Sequence, residues 1–238
     1  MTPLNWSRLA AVVPAAGRGS RMGAAIAKQY LPLVGKTIIE HTLEALLALP
    51  QLPRIYVALA ADDDQFQHLP LARDARITTV IGGAERADSV AAALEQLLAD
   101  GYDWALVHDA ARPCITTAEV ETLVARASES GHGAILASRV RDTMKRAHSG
   151  GDQIAQTVPR GDLWHALTPQ LFPARQLAAA IRDAAAAGVA VTDEASAMEW
   201  CGQPVALVAG SRWNIKVTEP EDLTLAALWL SGAHLETR

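Results

Sequence analysis

Leu9-Ala-Ala-Val-Val-Pro14-Ala-Ala-Gly17-Arg-Gly19-Ser-Arg21-Met-Gly23 passes without a break from apolar to small, glycine-rich and basic sequence. The run 9–13 has the length and aliphatic character of a strand buried on both faces. The stretch after it reads as a loop, because Pro14 has no amide hydrogen to give a ladder and the glycines let the backbone fold closely around a ligand. Successive N–H groups turned inward in such a loop form an anion-binding concavity, and Arg18, Arg21 and Lys28 add positive charge beside it. That combination suits a polyphosphate at the carboxyl end of a parallel strand, where open α/β sheets bind ligands. A short secretory signal has a similar apolar core followed by small residues, but only Arg8 precedes this one, and the basic loop behind it fits a strand entering a loop.

Outward from this unit, apolar runs alternate with helical periodicity. Ile39, Leu43, Leu46 and Leu47 form a stripe at helical spacing, and runs at 55–59 and 76–81 read as strands. Val90, Leu94, Leu97 and Leu98 mark a second helix, 104–107 a fourth strand, Val120, Leu123 and Val124 a third helix, and 134–137 a fifth strand. Helices are expected at 174–187, 193–200 and 219–230, with a strand at 204–208 between the last two. Parallel neighbours need crossovers, so strands alternating with helices predict a mainly parallel sheet covered on both faces. The pattern breaks at 139–160, which is polar and charged around a Ser149-Gly150-Gly151-Asp152 turn. Its limbs, 142–147 and 153–158, predict a projecting hairpin, and since a lone hairpin is marginal in water, a partner subunit is the simplest thing for it to pack on. The 238 residues are about 1.6 times a typical domain of ~150 residues, which fits a single α/β domain over 1–238 with that arm attached.

Composition excludes several classes. Half of the residues are apolar and 5% aromatic, so a packed aliphatic core is available. A net charge of −5 with no basic run lacks the footprint of a nucleic-acid binder. No apolar run reaches the ~18 residues that cross a bilayer, and two cysteines, Cys114 and Cys201, cannot build a disulfide framework or a cysteine zinc site. A cytoplasmic protein is expected. Gly17-x-Gly19 resembles a dinucleotide fingerprint, but Met22 stands at the third glycine, and Glu40, at the acidic position, lies off the apolar stripe and is expected to face solvent. Gly35-Lys36-Thr37 imitates the end of a phosphate-binding P-loop, yet Tyr30 occupies the position of its first glycine. Asp62-Asp63-Asp64 and Asp193-Glu194 read as helix starts rather than metal clusters. The seven histidines show no paired metal spacing, and no Gly-x-Ser-x-Gly elbow is present. Asp109, after the strand 104–107, shares the sheet edge of the glycine loop, where a carboxylate could hold Mg²⁺ that also binds phosphate oxygens. Arg112 beside it could pair with that carboxylate or bind an anion.

Eight segments carry a family resemblance in order: Ala15-Ala-Gly-Arg-Gly-Ser-Arg-Met22, Lys28-Gln-Tyr30, Gly82-Gly-Ala-Glu-Arg-Ala-Asp-Ser89, His108-Asp-Ala-Ala-Arg-Pro113, Arg141-Asp-Thr-Met-Lys-Arg146, Leu167-Thr-Pro-Gln170, Thr192-Asp-Glu-Ala-Ser196 and Asn214-Ile-Lys-Val-Thr218. Together they resemble the 2-C-methyl-D-erythritol 4-phosphate cytidylyltransferases over 12–230. The resemblance implies a Rossmann-like nucleotidyltransferase with a protruding β-arm that clasps a second subunit in a homodimer. It implies transfer of the cytidylyl group of CTP to methylerythritol 4-phosphate in the non-mevalonate isoprenoid pathway, with release of pyrophosphate and a requirement for Mg²⁺. Arg21 and Lys28 would stabilise the transition state. Ala15, Ala16, Gly17, Gly82 and Ser89 would hold the nucleotide, with Asp109 by the metal and the substrates. Arg112, Thr143, Arg160, Thr168 and Lys216 would bind the acceptor, with Arg112, Thr143 and Arg160 supplied by the partner subunit. Three positions depart from the family's habit: Ala27 stands where proline is common, Ala84 where an acid is, and Pro159 where aspartate is. A pentitol-phosphate cytidylyltransferase acting on ribitol 5-phosphate and a catalytically silent nucleotide sensor are the alternatives. The intact Arg21, Lys28, Asp109 and Lys216 weigh against the sensor, and the acceptor segments weigh against the pentitol.

Overall fold

The computed structural model describes residues 4–17 and 26–232. β1 (Leu9–Pro14) is buried along its length, with Leu9, Ala11 and Val13 entering the core on one face and Ala10 and Val12 on the other. β4 (Ile55–Leu59) and β6 (Trp104–Val107) flank it in parallel, and β5 (Ile77–Ile81) continues in parallel from β4 to one edge. Beyond β6 the direction reverses. β10 (Trp164–Pro173) runs antiparallel to β6 and to β7 (Gly133–Arg139), and β11 (Val205–Ala209) closes the other edge parallel to β7. The order is β11-β7-β10-β6-β1-β4-β5, a mainly parallel sheet interrupted by one antiparallel strand.

α1 (Ile38–Leu47) and α3 (Thr117–Ser130) cover one face through Leu43, Leu46, Val120, Leu123 and Val124. α2 (Arg86–Ala99), α4 (Ala174–Ala186) and α5 (Glu194–Trp200) cover the other through residues such as Val90, Leu94, Leu177 and Met198. α6 (Pro220–Leu230) packs with Leu33, Ile38, Cys114 and Val217 in a smaller cluster. The apolar stripes seen in the sequence are therefore the faces that dock on the sheet. α3 is bounded by an N-terminal Thr116–Glu119 capping box and by Gly131 in the left-handed region at φ +67°.

Three local features differ from expectation. β2 (Pro32–Leu33) and β3 (Lys36–Thr37) form a small hairpin whose turn residues Val34 and Gly35 both have positive φ, so the P-loop look-alike is a turn followed by the N-cap of α1. Glu40 is 9% exposed rather than solvated, because its carboxylate folds back onto the N–H and hydroxyl of Thr37, both at 2.7 Å. β10 was not expected at all, since Pro169 falls inside it. Proline cannot donate to a ladder, and the strand accommodates it at an irregularity between Ala166 and Gln170 where the register on β7 shifts.

The arm is a two-stranded antiparallel sheet of β8 (Met144–Ala147) and β9 (Ile154–Val158). Most of its side chains are exposed, Ile154 by 62%. At its foot the Arg139 guanidinium stacks 4.4 Å from the Trp164 ring. Among the described residues no helix is long and apolar enough to cross a membrane.

Candidate functional site

Three loops leave the carboxyl ends of parallel strands on the same edge of the sheet and meet. Pro14 ends β1 and Ala15, Ala16 and Gly17 follow it, Gly83, Ala84 and Glu85 lie just beyond β5, and Asp109, Ala110 and Ala111 follow β6. Together with Lys28, Gln29, Arg86, Ser89 and Lys216 they enclose a cavity of about 290 Å³. The approach is close where glycine is needed: a Cβ on Gly82 would stand 2.7 Å from the Ser89 hydroxyl and 2.8 Å from the Ala16 Cβ. Ser89 ties the loop into the first turns of α2, accepting from the Gly83 N–H at 3.2 Å and donating to the Glu85 carbonyl at 3.2 Å. Lys28 sits in a short 3-10 turn, Lys28–Tyr30. Gln29 Nε2 donates to the Ala15 carbonyl at 2.7 Å and the Tyr30 hydroxyl to Asp63 at 2.6 Å, fastening the turn to the β1 loop and to the acidic run. Lys28 Nζ donates to the Val217 carbonyl at 3.2 Å, next to Lys216.

Asp109 is the electrostatic centre of the site. It is 6% exposed and surrounded by cations: Arg86 Nε at 2.9 Å from Oδ1, and Lys216 Nζ at 2.9 Å and Arg112 Nε at 3.5 Å from Oδ2. Burial pushes its carboxyl up, but Arg86, Lys216 and Arg112 outweigh that and hold it well below the usual carboxylate range. His108 beside it is fully buried, and burial lowers its pKa to about 4, so it is neutral at pH 7. Its Nε2 lies 3.1 Å from the Arg112 carbonyl, which only accepts, so that nitrogen carries the proton and donates. Nδ1 then accepts from the Thr168 hydroxyl at 3.0 Å, and the same hydroxyl accepts from the Asp109 N–H at 3.0 Å.

A second cavity of about 720 Å³ opens on the other side of Lys216. It is lined by Arg112, Arg139, Arg141, Trp164, Arg212 and Asn214 among others. Arginines dominate its charge, which suits an anionic ligand. Lys216 lines both cavities and is 37% exposed, so one ammonium stands at their junction.

The family model described as 2-C-methyl-D-erythritol 4-phosphate cytidylyltransferase matches residues 9–232. The chain belongs to this family. Among its relatives are the 2-C-methyl-D-erythritol 4-phosphate cytidylyltransferase of Shewanella amazonensis, 55% identical with 96% of each chain covered, and that of Serratia proteamaculans, 53% identical with 93% of each covered. The crystal structure of the Francisella tularensis enzyme is similar at a TM-score of 0.79 and 34% identity, covering 93% of this chain and 99% of that one. This cytidylyltransferase is accordingly an enzyme, a nucleotidyltransferase of isoprenoid biosynthesis.

In this cytidylyltransferase Ala15, Ala16, Gly17, Ser89, Lys28 and Asp109 line the smaller cavity, and Gly82 packs directly behind it. Arg112 lines the larger one, and Lys216 lines both. Arg112 is 8% exposed, with one guanidinium nitrogen donating to the Asn214 carbonyl at 2.7 Å and Nε facing Asp109, three residues before it on the same loop. Thr168 is 4% exposed, and its hydroxyl is committed to His108 and Asp109. Thr143 and Arg160 stand exposed at the foot of the arm, where the Arg160 guanidinium donates to the Arg141 carbonyl. Arg21 lies outside the described residues. Sequence reasoning passed over Arg86, quoted only within a segment, and Glu194, read as an ordinary first-turn acid. Their pairing spans 108 positions, so nothing in the local sequence announced it.

Proposed function

We propose that CTP occupies the smaller cavity and 2-C-methyl-D-erythritol 4-phosphate the larger, with the reacting phosphates meeting at Lys216. The observation that carries this is the shared ammonium: Lys216 is the lysine lining both cavities, at the junction where two phosphate groups would repel each other without a cation. The backbone of the β1 loop and of the segment after β5 supplies close, uncharged contacts for the nucleotide, while Arg112, Arg139, Arg141 and Arg212 give the larger cavity its affinity for an acceptor phosphate.

The acceptor phosphate is largely dianionic at pH 7, its second pKa being ~6, so its oxygen is a nucleophile without a general base. That oxygen forms a bond to the α-phosphorus of CTP as the bond from the α-phosphorus to the bridging β-phosphate oxygen breaks. Pyrophosphate leaves with the electron pair, and 4-diphosphocytidyl-2-C-methyl-D-erythritol remains. Charge builds on the α-phosphoryl oxygens and the leaving group, where preorganised cations lower the barrier. Lys28 and Arg21 are assigned this stabilising role, and Lys216 together with Arg160 and Thr143 the orientation of the acceptor. Thr168 acts on the acceptor site through His108 and Asp109. Mg²⁺ fits the site in one way: Asp109 is the buried carboxylate at the cavity, and such an ion is held by one or two carboxylates plus substrate phosphates. When bound it would neutralise triphosphate charge, with Asp109 as the carboxylate that would hold it.

We further propose that this chain acts as a homodimer through its arm, with Thr143 and Arg160 reaching the partner's acceptor cavity. Support comes from the exposure of both strands and from the marginal stability of a lone hairpin. Pyrophosphate release from CTP and Mg²⁺, measured with methylerythritol 4-phosphate and with ribitol 5-phosphate, tests the function. Turnover with the first and little with the second is expected. No turnover with either removes the assignment, and preference for ribitol 5-phosphate transfers it to the pentitol enzymes.

A further inference from the structure

Glu194 lines neither cavity, yet it is a carboxylate only 1% exposed, and it takes Arg86 in a two-pronged grip, with one guanidinium nitrogen at 2.7 Å from Oε1 and the other at 3.0 Å from Oε2. This orients the remaining nitrogen, Nε, onto Asp109 Oδ1 at 2.9 Å. Burial disfavours the charges on both partners. Glu194 and Asp109 nevertheless keep Arg86 firmly protonated, whereas burial leaves the Glu194 carboxyl raised despite Arg86. Glu194 is itself held in place. Gln170 of β10, 1% exposed, accepts from the Ala195 N–H at 2.9 Å and donates to the Asp193 carboxylate at 2.8 Å, clamping the residues on either side of it. Asp193 in turn caps α5 by accepting from the Ser196 N–H at 2.9 Å.

We infer that Glu194 and Arg86 are positioning residues for acceptor binding: they hold Asp109 so that its Oδ2 sets the Lys216 ammonium at the junction of the two cavities. The inference rests on the assignment of the acceptor to the larger cavity. Asp109 has two oxygens and two jobs. Oδ1 is fixed by Arg86, which leaves Oδ2 for Lys216 and Arg112. When the acceptor phosphate draws on Lys216, a carboxylate anchored at Oδ1 keeps its place, whereas one held only through Oδ2 would be pulled after it. Glu194 also balances charge. Arg86, Arg112 and Lys216 carry three positive charges against the one of Asp109, and the second carboxylate keeps Arg86 from competing with Lys216 for the substrate phosphates. Arg–carboxylate pairs with two parallel hydrogen bonds have the geometric definition this task needs, and charged groups misplaced by ~1 Å can lose on the order of 10²-fold in rate.

The test is Glu194→Gln, which keeps the volume but offers Arg86 one acceptor oxygen instead of two, combined in a cycle with Lys216→Met. In the single variant kcat/KM for methylerythritol 4-phosphate is expected to fall between ~10-fold and ~10²-fold, with the KM for CTP close to wild type and the melting temperature lowered, because a buried ion pair loses one partner's charge. In the Lys216→Met background the same change is expected to add no further loss, because both act through one ammonium. Equal losses on both substrates, or losses that multiply in the double variant, would mark Glu194 as merely structural and overturn the inference. If Glu194→Gln does not fold, Arg86→Met with Glu194→Met leaves no buried charge unpaired. Because Arg86 also lines the smaller cavity, in that variant a larger loss in kcat/KM for the acceptor than for CTP supports the inference, and wild-type acceptor kinetics overturn it. An inactive wild type sinks the function and the pair's role together, whereas an active wild type with unaltered variants sinks the pair's role alone.

Discussion

The Thr168 hydroxyl is used at both ends, accepting from the Asp109 N–H and donating to neutral His108. Thr168→Val keeps the shape and removes both bonds, leaving a buried N–H and a buried ring nitrogen unpaired. Such a loss costs ~1–3 kcal/mol, so the urea midpoint should fall with an unchanged slope, and Thr168→Ser should restore most of it. Asp109 leads to a different expectation. Among the described residues no three His, Cys, Asp or Glu side chains gather as a metal site, and Asp109 already faces three cations. Chelating divalent ions should therefore stop pyrophosphate release without moving the melting temperature of the substrate-free protein. A large drop in melting temperature on chelation would show a resident structural metal instead. Ala27, where the family often has proline, has φ −62° and ψ 137°, angles that proline adopts unstrained. Ala27→Pro should raise stability by ~0.4–1 kcal/mol through the unfolded chain, read as a higher urea midpoint, and it should stiffen the approach to Lys28.

At the scale of elements, β10 is what turns a run of parallel strands into this site. Its Phe172 is fully buried and lies against the first residue of β7, where a Cβ on Gly133 would stand 1.8 Å from the Phe172 ring. Gly133→Ala should therefore destabilise by ~1–3 kcal/mol, as overpacking does, and equilibrium unfolding would show it; an unchanged midpoint would mean the β7–β10 contact is looser than described. β10 also explains what the sequence could and could not reveal. β1, β4 and β6 are short apolar runs buried on both faces, and their residues are apolar because of that burial, so their pattern is local and readable. β10 carries Pro169 at an irregular register, a local signal against a strand that pairing on both sides overrides. The same division runs through the site. The glycine loop and Asp109 were legible because each sits at the end of a readable strand. Glu194 was not, because a first-turn acid looks the same whether it faces water or Arg86, and only the clamp by Gln170 decides which.

For the whole molecule, a net charge of −5 makes the placement of cations decisive. Arg86, Arg112, Lys28 and Lys216 converge on one edge of the sheet, so the anionic substrates meet local positive charge on an acidic protein. The proposed dimer would complete this edge, since Arg160 and Thr143 stand at the foot of an arm whose strands are exposed. Ile154 is a large apolar side chain standing open on that arm, at 62% exposure, and a partner surface is what would bury it. Ile154→Glu would place a charge in that contact, where buried apolar anchors contribute ~2 kcal/mol or more to association. Sedimentation at micromolar concentration should then show a dimer for the wild type and a shift towards monomer for the variant. The melting transition of the body should persist, because the arm contributes to none of the three core clusters. Kinetically, the KM for methylerythritol 4-phosphate should rise with dissociation while the KM for CTP stays unchanged, since no residue lining the smaller cavity lies on the arm. A wild type that sediments as a monomer, or a monomeric variant with unaltered acceptor KM, would remove the arm from the acceptor site and leave Arg112, Lys216 and the other residues of the larger cavity to bind the acceptor alone.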